Sequence, residues 1–309
     1  MNKSKVAVCS RSFSKNKILR KELELKYDFI KFNDEGLKLE GENLISFLKD
    51  QEKAIIALEK IDESILSFLP DLKVISKYGV GTDMLKMEAL KKFNIKLGHK
   101  KGINKRSVAE LTIAFMLNLL RKLPQSNRKI ISGGWEQYKG ENLTNKTVGI
   151  IGCGNVGKEL IKLLVPFNCK INVFDIKTYK EFYERYSVND VSLKFLLQTS
   201  DIVSIHIPLN DLSKNLIDQK KINLLKSSSI LINTSRGGIV DENALKVSLK
   251  SNTISGAAFD VFFQEPPLDQ ELINLPNFFA TPHIGGSSQE AILSMGRQAI
   301  IGLEINSYV

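Results

Sequence analysis

The chain has 309 residues, 43% hydrophobic and 25% charged, with a formal net charge of +10. That suits a globular protein of one large or two ordinary domains and excludes a disordered or fibrous chain. No apolar run is long enough to cross a bilayer and the N-terminus lacks a signal-peptide core, so the expectation is a cytoplasmic protein without a membrane partner.

Short apolar strands alternate with helix-length segments from one end to the other, the pattern of α/β architecture with parallel sheets. In the first hundred residues strands are expected at "KVAVC", "YDFIKF", "AIIAL", "LKVISK" and "NIKLG", with helical period in segments such as "DMLKMEALKKF". Five such strands fit a flavodoxin-like sheet. The segment 104–125 then reads as a long helix, capped by Asn104 and with Pro124 beyond its end, apolar on more than one face and so buried all round.

From residue 147 a second series begins: "TVGIIG", "KINVFD", "DIVSIHIP", "SSILINTS", "ISGAAFD" and "FFATPH". Six strands with helical connections fit a doubly wound nucleotide-binding sheet. The tail opens with a capping box from Ser287 to Glu290 and reads as a helix returning to the first domain. The expected fold is therefore two doubly wound parallel-sheet domains, one flavodoxin-like and one Rossmann-like, with a cleft between them. The boundaries are 1–98 plus 287–309 for substrate binding and 99–286 for the nucleotide.

The charge and the cysteines add little. Lysines are scattered, which argues against a nucleic-acid partner, while a positive field suits an anionic ligand. Cys9, Cys153 and Cys169 are odd in number and follow no metal spacing, so they read as reduced bystanders and no metal is expected.

The first motif with chemistry is Gly152, Gly154 and Gly157 in "GIIGCGNVGKEL". A G-x-G-x-x-G is weak alone, but here a strand precedes it and an amphipathic helix follows. Gly152 serves the tight turn, Gly154 the approach of a pyrophosphate, and Gly157 close helix–strand packing. The helix N-terminus offers free N–H groups to phosphate. Asp175 ends the next strand, where a carboxylate binds a ribose 2′-hydroxyl and repels a 2′-phosphate, so NAD is favoured over NADP even with Lys177 close by. The alternative is a generic turn followed by a solvated acid.

Three later strand ends carry chemically suited groups. Arg236 follows "ILINTS", Asp260 ends "AAFD" with Glu265 a few residues on, and His283 follows "FATP". Only eight of the 44 basic residues are arginine, so the planar fork at Arg236 is a meaningful choice. It suits a carboxylate. His283 suits proton exchange with the carbonyl oxygen of a 2-keto acid, Glu265 would orient the ring, and Asp260 would hold the nicotinamide amide. His206, in "SIHIPL", would line the cofactor cleft, and His99 reads as a surface residue. Each taken singly could be a cap, a seam ion pair or a turn residue.

The segments "GIIGCGNVGKEL", "INTSRGGIVDENAL", "AFDVFFQEPP" and "ATPHIGGSSQEA" together resemble the D-isomer-specific 2-hydroxyacid dehydrogenase family. The resemblance covers nearly the whole chain in order. It implies Arg236, Glu265 and His283 as the catalytic set, with Arg236 on the substrate carboxylate and His283 as proton donor. It implies cofactor contacts from Asn155, Val156, Asp175, Thr234, Arg236, Asp260 and the stretch from His283 to Gly286, including Gly285. It also implies a homodimer built on the long helix, and closure of the two domains over the substrate.

Within the family, "SKYGVGTDM" and "RKLPQSNRKIISGGW" are most similar to phosphoglycerate dehydrogenase. Gly79, Val80 and Gly81 would offer N–H groups to the substrate carboxylate, and Lys77 stands where that subgroup often carries a phosphate-facing arginine. Met84 and Lys86 depart from the common Asn and Asp. The chain ends without the regulatory domain of longer relatives, so serine feedback through it is not expected. The expected reaction is reversible hydride transfer between NAD(H) and 3-phosphoglycerate/phosphohydroxypyruvate, with hydroxypyruvate or glyoxylate reduction as the competitor. An NAD-sensing interaction protein on the same scaffold is the alternative of another class. Formate chemistry is disfavoured, because such relatives carry Gln where Glu265 stands.

Overall fold

The computed structural model describes residues 2–309. They divide into two compact units. The first comprises the chain up to Asn104 together with Ser287–Val309. Its strands are β1 (Asn2–Val8), β2 (Tyr27–Phe32), β3 (Lys53–Ile56), β4 (Val74–Lys77) and β5 (Lys96–Gly98). They lie parallel in the order β2-β1-β3-β4-β5, the flavodoxin-like arrangement, and Ser307–Tyr308 adds a short antiparallel strand outside β5.

Successive side chains of a strand point to opposite faces, so a strand buried on both sides must be apolar throughout. The second half of β1 shows this. Val6 and Val8 join one buried cluster with Leu19, Leu23 and Met295, while Ala7 joins another with Leu44 and Leu66. The C-terminal helix, Gln289–Gly302, supplies much of the first cluster through Ala291, Met295, Ala299 and Ile300. It lies close on the sheet: the Ser76 hydroxyl donates to the Ala299 carbonyl at 2.6 Å, and a Cβ on Gly98 would collide with the Gly302 backbone.

The second unit, Lys105–Gly286, holds β6 (Thr147–Ile151), β7 (Lys170–Phe174), β8 (Val188–Asp190), β9 (Ile202–Ile205), β10 (Ile230–Asn233), β11 (Gly256–Phe259) and β12 (Phe278–Ala280). All are parallel, in the order β8-β7-β6-β9-β10-β11-β12. Strand order reverses between β6 and β9, which makes that edge the ligand-binding crevice of a doubly wound sheet. The registers align Phe174, Ile151, Ile205, Asn233, Phe259 and Ala280 in one row across six strands. The residues just beyond that row therefore share one edge.

Several expectations are corrected. Pro124 does lie beyond the long helix, as expected, but the chain there is itself helical. The helix stops at Leu120, and Pro124 lies in the first turn of a second helix, Leu123–Ile131, where a missing N–H costs nothing. The helix Lys105–Leu120 is not buried all round: Val108, Ala109, Thr112, Phe115, Met116 and Leu119 are buried, whereas Leu111, Ile113 and Leu117 are only partly covered. The tail helix is capped by Ser288, one residue after the expected Ser287, through the Ala291 N–H. Residues 99–104 pack with the first unit rather than the second. Two strands lacked a sequence signal: β8, whose "VND" is polar and largely exposed, and Ser307–Tyr308.

Candidate active site

The three glycines of the loop differ in their surroundings. Gly152 has φ +97°, and a Cβ there would stand 2.6 Å from Ile207 and 2.7 Å from the His206 carbonyl. At Gly157 a Cβ would collide with the Gly152 carbonyl, so the helix Asn155–Leu164 sits hard against the turn. Gly154 caps that helix and differs from both: a Cβ there would meet nothing within 4 Å. The turn is closed behind and open in front, over the first free N–H groups of the helix, at Asn155 and Val156. That is the shape an approaching pyrophosphate requires.

Asp175 follows β7 directly. Its carboxylate accepts from the Cys153 N–H at 2.6 Å and from the Lys177 N–H at 2.9 Å. The acid is thereby fixed to the glycine loop, with lone pairs left for ribose hydroxyls. Cys153 is fully buried, and burial raises its thiol to about 11, so it is inert.

His206 follows β9. Its Nε2 lies 2.8 Å from the Ser204 hydroxyl, and its buried Nδ1 has no protein partner. Burial lowers the imidazole to about 3, so the ring is neutral. An orphaned buried nitrogen beside the glycine loop, an open Gly154 and a fixed acid at the next strand end together fit a dinucleotide.

Arg236 follows β10 in a turn braced by Asn233. The Asn233 side chain accepts from the Ser235 N–H at 3.0 Å and the Ser235 hydroxyl at 2.7 Å, and donates to the Arg236 carbonyl at 2.8 Å. The guanidinium Nη1 donates to the Ser235 carbonyl at 2.7 Å. Gly237 packs so tightly that a Cβ would overlap the Phe262 carbonyl. This sets the Arg236 turn against the loop after β11. Thr234 is buried, and its hydroxyl lies 2.9 Å from that of Thr112, which donates to the Val108 carbonyl at 2.8 Å.

The loop after β11 leads to a carboxylate–imidazole pair. Glu265 accepts the Phe262 N–H at 3.1 Å through one oxygen, and its other oxygen lies 2.8 Å from His283 Nδ1. A carboxylate only accepts, so Nδ1 carries the hydrogen and Nε2 is the nitrogen left for substrate. The His283 side chain is 48% exposed, so that nitrogen is reachable.

His283 has φ +54°, a left-handed conformation uncommon for a side-chain-bearing residue. Asp260 holds it there. This acid is 1% exposed and accepts from the Thr281 hydroxyl at 2.5 Å, the Ile284 N–H at 2.7 Å and the Gly285 N–H at 2.7 Å. Its geometry serves the His283 turn first, with acceptor capacity remaining on Oδ2.

In the first unit the analogous strand ends are those of β4 and β5. Lys77 is 4% exposed and its ammonium donates to the Tyr78 carbonyl at 3.0 Å. His99 is not a free surface residue: it is half-buried, its Nε2 lies 2.9 Å from the Val80 carbonyl, and burial lowers its basicity. The carbonyls of Tyr78 and Val80 are thus both engaged. In trans peptides this turns the Gly79 and Gly81 N–H groups the other way.

Sequence reasoning missed Asn233, Thr112 and Glu242, whose carboxylate accepts the Phe263 N–H at 2.7 Å. Asn233 had a signal, a residue able to brace an Asx turn just before "TSRGG". Glu242 and Thr112 act through contacts distant in sequence and had none.

These features suit a dinucleotide-dependent oxidoreductase. The model of the D-isomer specific 2-hydroxyacid dehydrogenase NAD binding domain matches residues 113–285. The chain is 35% identical over 288 residues to a 2-hydroxyacid dehydrogenase homologue of Bacillus subtilis, YoaD, covering 88% of this chain and 82% of that one. It is 35% identical over 245 residues to glyoxylate reductase of Thermococcus litoralis (76% and 74% covered), and 35% identical over 241 residues to D-3-phosphoglycerate dehydrogenase of Bacillus subtilis. It covers 46% of the latter's length, so the chain spans about half of that relative. A crystal structure from Polaromonas sp. JS6 66, assigned to the same dehydrogenases, superposes with a TM-score of 0.90 at 28% identity, covering 98% and 96%. The chain belongs to the D-isomer specific 2-hydroxyacid dehydrogenase family, and it is an NAD-dependent oxidoreductase. Among the described residues no helix is long and apolar enough to cross a membrane.

Proposed function

We propose that the chain catalyses reversible hydride transfer between NAD(H) and a small 2-hydroxy or 2-keto acid, with Arg236, Glu265 and His283 as its catalytic residues. The observation that carries this is the 2.8 Å pair of Glu265 and His283, with Glu265 borne on the loop packed against the Arg236 turn. NAD supplies or accepts the hydride. The Arg236 fork binds the substrate carboxylate. His283 Nε2 gives a proton to the carbonyl oxygen during reduction and takes it from the hydroxyl during oxidation. Glu265 holds the ring through its hydrogen bond to Nδ1.

Gly152, Gly154, Asn155, Val156 and Gly157 form the pyrophosphate cradle, and Asp175 binds the ribose. His206, Thr234, Asp260, Gly285 and Gly286 line the remaining cofactor path. Better turnover with NADPH than with NADH would remove Asp175 from that role. Val80 and Gly81 supply N–H groups to the substrate anion.

The resemblance ranks 3-phosphoglycerate and phosphohydroxypyruvate first. One observation favours the competitor, reduction of hydroxypyruvate or glyoxylate: Lys77 is buried and engaged with the Tyr78 carbonyl, an arrangement that steadies a loop more than it grips a phosphate.

A panel of phosphohydroxypyruvate, hydroxypyruvate and glyoxylate with NADH, read by absorbance loss, tests the whole reading. His283→Ala should turn over the best substrate about a hundredfold or more slowly. No turnover by the wild type on any keto acid would favour the NAD-sensing alternative. A cytoplasmic homodimer completes the proposal. Its support is the partly covered apolar surface of Lys105–Leu120 and the exposed Leu123, Ile130 and Ile131, and light scattering tests it.

A further inference from the structure

We infer that Glu242 is a positioning residue for the acid–base pair. This rests on the reading of Glu265 and His283 given above. The helix Glu242–Lys250 begins at Glu242 and is capped by Asp241, whose side chain accepts from the Asn243 and Ala244 N–H groups. An acid in a first helical turn normally faces solvent and answers the helix dipole. Glu242 instead reaches across to the loop after β11 and accepts the Phe263 N–H at 2.7 Å.

That N–H is a sensitive place to hold. The preceding one, of Phe262, is taken by Glu265 itself at 3.1 Å. Two consecutive amides of one loop are therefore gripped by two carboxylates, one from the helix and one from the catalytic pair. The Phe262 ring is set in an aromatic cluster, its centroid 6.4 Å from that of Phe259 and 6.3 Å from that of Phe278. The Phe263 ring lies exposed, 3.2 Å from where a Cβ on Gly238 would stand, so it offers the loop little anchorage of its own. Glu242 supplies what Phe263 lacks.

The location of Glu242 costs it free energy in the charged form. Burial raises its carboxyl above the ordinary range, and the carboxylates of Asp269, Asp241 and Glu265 add to the effect. An acid kept beside three others needs a compensating use, and the Phe263 amide supplies it.

The experiment compares Glu242→Ala and Glu242→Gln with wild type, using the best keto acid of the panel and NADH. Release of the loop should lower kcat about 10- to 100-fold, as small misplacements of a catalytic group do, and leave the KM for NADH unchanged. Gln keeps an acceptor oxygen and should restore most of the rate. Thermal unfolding of each variant, with a folded Glu242→Ala expected, separates the effect from loss of structure; if that variant fails to fold, Glu242→Asp, whose shorter carboxylate cannot reach the amide, takes its place. Wild-type kcat in the non-bonding variant, or a Gln variant as slow as Ala, would overturn the inference. Glu265→Gln and His283→Ala run alongside. If they too keep full rate the underlying reading fails, and if they alone are slow only the role of Glu242 falls.

Discussion

The Asp260 carboxylate and the Gly285 amide stand 2.7 Å apart, which ties the end of β11 to the turn that presents His283. A buried carboxylate that accepts three hydrogen bonds makes that turn rigid, and it leaves two backbone amides dependent on one side chain. Asp260→Ala should lower stability by about 3 kcal/mol, the cost of stranding buried donors. It should also slow keto-acid turnover at least tenfold, because the left-handed backbone at His283 loses its support. Urea unfolding and steady-state rates measure the two effects. Unchanged values for both would mean that the turn holds itself.

The three glycines of the cofactor loop should separate under substitution. Gly154→Ala places its methyl group in open space, so unfolding should shift by no more than about 1 kcal/mol. The same methyl group occupies the approach to the phosphates, and the KM for NADH should rise tenfold or more. Gly157→Ala meets the Gly152 carbonyl and should lose stability as well as activity. If Gly154→Ala binds NADH normally, as read by fluorescence titration, the cradle lies elsewhere.

His206 predicts a pH dependence of stability. Its native imidazole is lowered to about 3, whereas an unfolded histidine titrates near ~6.5. Between these values the unfolded chain binds the extra proton, so stability falls as pH falls through this window and is fully present above it. The wild type should lose about 3 kcal/mol between pH 7 and pH 4 from this one group. His206→Gln lacks that loss, so the urea midpoints of the two proteins should converge on acidification. Parallel curves would show that the ring takes up a proton in the folded state.

Much of the fold was legible because strands buried on both faces are unbroken apolar runs. β6, β9 and β10 announce themselves in that way, and the glycine spacing fixed where the first crossover turns. The site was legible for a related reason: Arg236, Asp260 and His283 each follow a strand, and parallel strands deliver their ends to one edge. What stayed hidden depends on partners distant in sequence. β8 is polar because its side chains stay near water, and only pairing with β7 makes it a strand. His99 looks like any lysine-flanked histidine until the Val80 carbonyl comes within 2.9 Å. Pro124 reads as lying beyond a helix, and it does, yet a second helix begins around it. Glu242 resembles an ordinary acidic first-turn residue, and its bond to Phe263 spans 21 positions.

The C-terminal helix bears on biosynthesis. Met295, Ala299, Ile300 and Leu303 fill the same core cluster as Val6, Leu19 and Leu23, which leave the ribosome nearly three hundred residues sooner. Until that helix emerges, the nascent first sheet has one face only partly covered and some of its apolar side chains open to chaperones. The second unit, an uninterrupted stretch of chain, meets no such delay and can mature while translation continues.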